Sequence, residues 1–166
     1  MKIKFLIWLM MSGFAAANAQ YVFQTPPENF NPKVEVATCF IFVKDQVLFL
    51  KRQPYKPEGN TWGIPGGKIE KGEDAAETVV REVHEETKID LSKMPMKYFG
   101  KVYIRYPHVD FIYHMFETQM DDYPPEIVID SSSHSEYQWL TLKDALNLPL
   151  IPGEDECIYL SYGKEL

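Results

Sequence analysis

The chain has 166 residues and a formal net charge of −7. That length suits one domain plus a short extension, enough to bury a core. Apolar content of 45% and charged content of 25% are those of a soluble globular protein, and the acidic balance argues against a nucleic-acid polymer or an anionic membrane as partner.

Residues 1–19 read as a secretory signal peptide. Lys2 and Lys4 precede an apolar run from Phe5, and Ala17-Asn18-Ala19 has the small-x-small pattern of a cleavage site. The run is too short for a stable membrane span, which needs about 20 residues. An N-terminal element packed on the domain, or a misassigned start, is the alternative. Residues 20–32 carry Pro26, Pro27 and Pro32 and read as a linker or extended arm. The domain proper is expected over 33–166.

Val34–Val43 is rich in β-branched and aromatic residues and predicts a strand, with Gln46–Lys51 as its hairpin partner across Lys44-Asp45. Residues 53–61 form a loop. Trp62 to Gly67 then leads into the most informative stretch, Gly66–Ile89. Asp74 and Glu77 form a capping-box pattern. Ala76, Val79, Val80 and Val83 recur at helical spacing for burial. Glu82, Glu85 and Glu86 share another face of the same helix. Like charges so placed repel, and a divalent cation would relieve the repulsion, because carboxylate oxygens suit Mg2+ and Mn2+. A solvated acidic face is the plainer reading of such a run. Pro65-Gly66-Gly67 supplies a turn whose backbone can approach a ligand closely.

Downstream, 96–106 and 109–118 predict two long strands. Alternation puts Phe111, Tyr113 and Met115 on one face, with Ile112, His114 and Phe116 on the other. Glu136–Leu140 predicts a short strand, Thr141 caps a small helix over 142–147, and Glu154–Tyr162 closes the chain as a helix. One long helix lies between strands without a repeating β-α-β order, so the class is α/β but not a doubly wound parallel sheet. Cys39 and Cys157 have no metal-ligand spacing and read as buried free thiols.

The stretch from Gly67 to Ile89 resembles the Nudix box of the Nudix hydrolases. Gly67, Glu73, Arg81, Glu82, Val83, Glu85, Glu86 and Ile89 fall at the spacings of that pattern, and Lys88 stands where the family has a glycine. The resemblance implies an α/β/α sandwich with a mixed sheet. It also implies cation-dependent hydrolysis of a pyrophosphate bond in a nucleoside diphosphate derivative, a nucleoside triphosphate or a nucleotide sugar. Glu82, Glu85, Glu86 and the carbonyl of Gly67 would hold Mg2+ or Mn2+, and Glu85 or Glu86 would also serve as base. Arg81 would pair with Glu73 as structural support. The family adds a carboxylate from a downstream loop, for which Glu136 is the leading candidate and His134 and Asp130 the runners-up. Arg52 and Lys68 are candidates for phosphate, and Tyr106, Phe111 or Tyr113 for stacking on a base. A homodimer is compatible with the sequence. A non-catalytic nucleotide- or protein-binding module is the competing reading, with Lys88 in its favour. Export sits awkwardly with a nucleotide substrate, unless the protein scavenges extracellular nucleotides.

Overall fold

The computed structural model describes residues 20–164 and 166, so the expected signal peptide lies outside the described residues. Strands β1 (Val22–Phe23), β2 (Pro32–Val43), β3 (Gln46–Arg52), β4 (Trp62–Gly63) and β5 (Gly66–Lys68) precede helix α1 (Ala75–Thr87). After it come β6 (Lys97–Tyr106), β7 (Val109–Met120), β8 (His134–Thr141), α2 (Leu142–Ala145) and α3 (Glu154–Tyr162). No helix among the described residues is long and apolar enough to cross a membrane.

Alternation along the central strands builds two cores, because successive side chains leave opposite faces of a sheet. Ala37, Cys39 and Ile41 of β2, with Leu48 and Leu50 of β3, pack against Val79 and Val83 of α1. From the same strands, Phe40, Val47 and Phe49 pack against Leu142 and Ala145 of α2 and Ile158 of α3. Helices therefore cover both faces, giving the expected α/β/α sandwich. The sheet is mixed: β2 runs parallel to β7, and β6 is antiparallel to β7. Cys39 and Cys157 are free and buried in separate clusters.

The sheet is also split. β2 and β3 pair only beside their turn, at Phe42↔Val47 and Val43↔Gln46. Beyond that they part. β5 takes the free edge of β2, and β4 pairs with β3. Gly66 is required in this wedge: its φ is 151°, and a Cβ would overlap the Ala37 carbonyl.

The expected linker or extended arm over 20–32 contains a short strand. Val22 and Phe23 extend the sheet by pairing with Ile104 and Tyr103, and Val22 is buried. Two residues are too few for a periodic signal, so the strand is invisible among the prolines. The small helix ends at Ala145 rather than at 147.

Helix α1 starts as its sequence predicts. The Asp74 carboxylate accepts from the backbone N–H groups of Ala76 and Glu77, and the Glu77 side chain accepts from Asp74 N–H. At the other end Lys88 takes the left-handed conformation, φ 64° and ψ 9°, and its N–H donates to His84 O. The helix thus ends where a glycine would end it, with a side chain in a region that disfavours one. Lys88→Gly is expected to raise stability by about 0.5–1 kcal/mol, read as a shift in the urea midpoint. An unchanged or lower midpoint would show that the cap carries no strain.

Candidate active site

Where β2 and β3 part, a cavity of about 820 Å3 opens. One end is polar, with Gly66, Gly67 and Lys68 of β5, Glu82 and Glu86 of α1, Arg52 of β3 and His134 of β8. A second group of lining residues is largely aromatic and apolar, with Tyr106, Phe111, Tyr113 and Ile151, beside Glu58, His108 and Glu154.

Arg81 organises the polar end. Its Nε donates to Glu73 Oε1 at 2.6 Å and its Nη2 to Glu73 Oε2 at 3.0 Å. Nη2 also reaches Lys68 O at 3.0 Å, and Nη1 reaches Glu82 Oε1 at 2.8 Å and Glu85 Oε2 at 3.4 Å. A planar guanidinium with donors in a fixed fork can make such a set where an ammonium cannot. The hydrogen bonds from Arg81 hold the Glu73 carboxyl down at about 2. Glu73 and Arg81 thus tie the loop to the helix, as expected. A Cβ on Gly67 would overlap the Glu82 carboxylate, so the glycine admits the acid against the bare backbone.

Glu86 is the deep acid. Its Oε2 accepts from Gly66 N–H at 3.0 Å, and its Oε1 lies 3.8 Å from His134 Nε2. Burial pushes its carboxyl up to about 8; repulsion from Glu82 and Asp130 adds to this, while the Gly66 N–H and Arg52 oppose it. His134 is driven the other way, down to about 4, chiefly by burial and then by Arg52. Its ring is therefore neutral at pH 7, and its buried Nδ1 has no hydrogen-bond partner.

Among the described residues no group of three or more His, Cys, Asp or Glu side chains is already arranged around one ion. The donors nevertheless fit a hard divalent cation. Glu82 and Glu86 supply oxygens beside a glycine backbone, and the pressure on Glu86 to stay protonated is what a cation would relieve. Glu85, 59% exposed on its side chain, points to Arg81 and solvent rather than into the cavity.

The structure brings Gly67, Glu82, Glu86, Arg52, Lys68 and Tyr106 to one cavity. Arg52 is steadied there by donating from Nε to Pro57 O at 2.8 Å, and Tyr106 by donating its hydroxyl to Pro152 O at 2.7 Å. Phe111 and Tyr113 stand beside Tyr106, as the alternation of β7 requires.

Glu136 is the placement to correct. It does not line the cavity; its carboxylate accepts from Lys51 Nζ at 2.7 Å and is half exposed. Glu136 pairs with Lys51, whose side chain leaves the opposite face of β3 from Arg52, and a β-bulge beyond it brings His134 to the cavity face. Arg52 pairs with His134, leaving Ser135 as the extra residue. His134, a runner-up, reaches the cavity instead. Asp130 donates its backbone N–H to Glu86 O at 3.0 Å, so its loop lies along the end of α1.

Glu154 is a cavity residue that the sequence did not reveal. Gly153 precedes it in the left-handed conformation, and the residue is 4% exposed at the start of α3. Burial pushes its carboxyl up to about 7, opposed by a hydrogen bond from the Tyr113 hydroxyl. Pro-Gly before an acidic helix start marks the position but not its direction.

The split sheet, the glycine turn and the acidic helix together define a hydrolase of phosphorus anhydrides. The NUDIX domain family model matches residues 32–160, and the chain belongs to the Nudix hydrolase family. It is 33% identical over 133 residues to YvcI of Bacillus subtilis (strain 168), an uncharacterized Nudix hydrolase, covering 79% of this chain and 81% of that protein. The crystal structure of the MutT protein from Methanosarcina mazei Go1 is similar in fold, with TM-score 0.65 and 25% identity over 78% of this chain and 91% of that one. So is the NUDIX domain of Shewanella oneidensis NrtR, solved with ADP ribose, at TM-score 0.66 and 22% identity over 81% and 89% of the two chains.

Glu154 gives a test of the cavity's electrostatics. A carboxyl whose folded pKa is raised binds more protons folded than unfolded between about 4.5 and 7. Its contribution to stability therefore falls as pH rises through that window. Relative to wild type, Glu154→Gln should gain stability across it, by about 3 kcal/mol, because each tenfold change in proton affinity is worth about 1.4 kcal/mol. Denaturant midpoints of the two proteins at pH 4.5, 6 and 7.5 check this. A difference independent of pH would mean that the buried carboxyl does not take up its proton.

Proposed function

We propose that this chain hydrolyses the pyrophosphate bond of a nucleoside diphosphate derivative, a nucleoside triphosphate or a nucleotide sugar, with Mg2+ or Mn2+. The observation that carries the reading is the buried Glu86 facing Glu82 across the Gly66-Gly67 turn, at the polar end of a cavity also lined by an aromatic and apolar group. A diphosphate belongs at the first and a base at the second.

Glu82, Glu85, Glu86 and the carbonyl of Gly67 would hold the cation. When bound, such a cation screens phosphate charge and lowers the pKa of a coordinated water. The chain's own residues do the rest. Arg52 and Lys68, both on the cavity wall, offset the negative charge of the phosphates. Arg81 keeps Glu82 against Gly67 and the loop against the helix, and remains engaged with carboxylates rather than substrate. Glu85, the most exposed of the three acids, can exchange its weak contact with Arg81 for a proton from water, which makes it the general base. Glu86, enclosed and held by the Gly66 N–H, is the deep ligand, which a bound cation would keep ionised. Tyr106, Phe111 and Tyr113 take the base, their rings forming the apolar wall. Glu136 has no part in this scheme, because it lies outside the cavity.

A non-catalytic binding module is the second reading, against which the intact set Glu82, Glu85 and Glu86 speaks. It drew on Lys88, and Lys88 ends α1 in the conformation a glycine would use.

Glu85→Gln with Glu86→Gln is expected to leave the circular-dichroism spectrum unchanged and to lower turnover of Mg2+-dependent hydrolysis by about 100-fold or more. The assay is product release from a panel of nucleoside triphosphates and nucleotide sugars, with and without Mg2+. Wild-type turnover in the folded double variant would sink the assignment. Export as a nucleotide scavenger, proposed from the leader-like residues 1–19, predicts mature protein outside the cytoplasm. Cytoplasmic protein with Met1 intact, found by fractionation and N-terminal sequencing, would reject it.

A further inference from the structure

Gln53, the residue after Arg52, makes three hydrogen bonds to a single loop. Its Nε2 donates to Ser131 O at 2.8 Å and to His134 O at 3.1 Å, and its backbone N–H donates to Ser133 O at 2.9 Å. The loop also closes on itself. Asp130 O accepts from the N–H groups of Ser133 and His134, at 3.0 and 2.8 Å. The Asp130 carboxylate accepts from Ser132 N–H and Ser132 Oγ, both at 2.9 Å, so it is engaged within its own turn. With Asp130 N–H on Glu86 O, the loop is fastened at one end to α1 and at the other to β3.

This fastening places one side chain. His134 is 5% exposed, lines the cavity, and faces Glu86 Oε1 with its Nε2 at 3.8 Å. Its Nδ1 is buried without a partner. A buried N–H without an acceptor is rare in folded proteins, so the single proton of a neutral ring belongs on Nε2, toward the carboxylate. Glu86 has the complementary need. Its Oε2 accepts from Gly66 N–H at 3.0 Å, while its Oε1 accepts no hydrogen bond from the described residues. The His134–Glu86 pair stands just beyond hydrogen-bond distance, and a charge on the carboxylate strengthens such a bond. Carboxylates that ligate a cation are themselves directed by hydrogen bonds from a surrounding layer of residues.

We propose that His134 is the positioning residue of Glu86: its Nε2–H donates to Glu86 Oε1 when a cation keeps that carboxylate ionised, and so sets the direction in which Glu86 offers its charge. Gln53 holds His134 in place. This rests on the reading of Glu86 as a cation ligand, but neither on turnover nor on the identity of the substrate.

The test is therefore one of metal binding. Mn2+ would be titrated into the full chain and the free ion followed by its electron paramagnetic resonance signal. His134→Phe keeps a buried ring and removes the donor, and is expected to weaken Mn2+ binding by about tenfold or more. His134→Gln, whose amide nitrogen can take the place of Nε2, should recover most of that loss. Gln53→Leu leaves the facing side chains intact and serves where His134→Phe does not fold; it should weaken binding several-fold. Wild-type affinity in folded His134→Phe, or in Gln53→Leu, would overturn the proposal. So would a His134→Gln protein as weak as His134→Phe, because the loss would then follow from packing alone. Glu86→Gln is the separate control, expected to lose about tenfold or more. No Mn2+ binding by wild type, or wild-type affinity in Glu86→Gln, would overturn the ligand reading and the proposal with it, whereas the His134 and Gln53 variants test the proposal by itself.

Discussion

One guanidinium holds the acidic helix to the glycine turn. Without Arg81, the carboxylates of Glu73, Glu82 and Glu85 would lose the one cation that gathers them. With it, loop, turn and helix share a single rigid donor that reaches all three acids and Lys68 O. The arrangement fixes Glu82 beside Gly67, and hence the face on which Glu86 must lie one turn further on. Exposed ion pairs contribute little in general. This one matters as geometry, because a forked bond to Glu73 leaves the Arg81 side chain little freedom.

Charge inside the cavity is the second constraint. Each group of lining residues has a carboxyl that burial holds near or above neutrality, Glu86 in the polar one and Glu154 in the aromatic one. Such groups oppose folding and belong to function rather than to packing. The apolar clusters on the two faces of the sheet offset them, with Phe40, Phe49, Leu48 and Ile41 wholly enclosed.

Much of this was legible in the residues. The capping box of Asp74 and Glu77, the valine stripe of α1 and the alternation of β7 are local patterns with fixed periods, and each appears in the structure as it reads. The pairing of Glu73 with Arg81 was legible through the family resemblance. What escaped depends on register. Glu136 is favoured by its place beside a short strand, but one unpaired residue, Ser135, shifts the register and turns His134 to the cavity. A two-residue strand at Val22 has no period to detect. The direction of Glu154 depends on how the last helix meets β7, which is a long-range fact. The outward turn of Glu85, which reaches Arg81 only at 3.4 Å, is a choice of rotamer that no local pattern records.

The split between β2 and β3 has a mechanical consequence. The strands are joined at the Lys44-Asp45 turn and are kept apart further along by β4 and β5, so they diverge like the two arms of a pair of tongs. One arm is braced by β7 and the other by β8. The glycine turn sits about 20 Å from the pivot, at about 3.3 Å per residue of strand. A change of only about 3° at the turn would therefore open or close the cleft by about 1 Å, a displacement large enough to alter rates by about a hundredfold. Tuning of this site can thus come from residues that never approach the substrate, at a hairpin on the far side of the sheet.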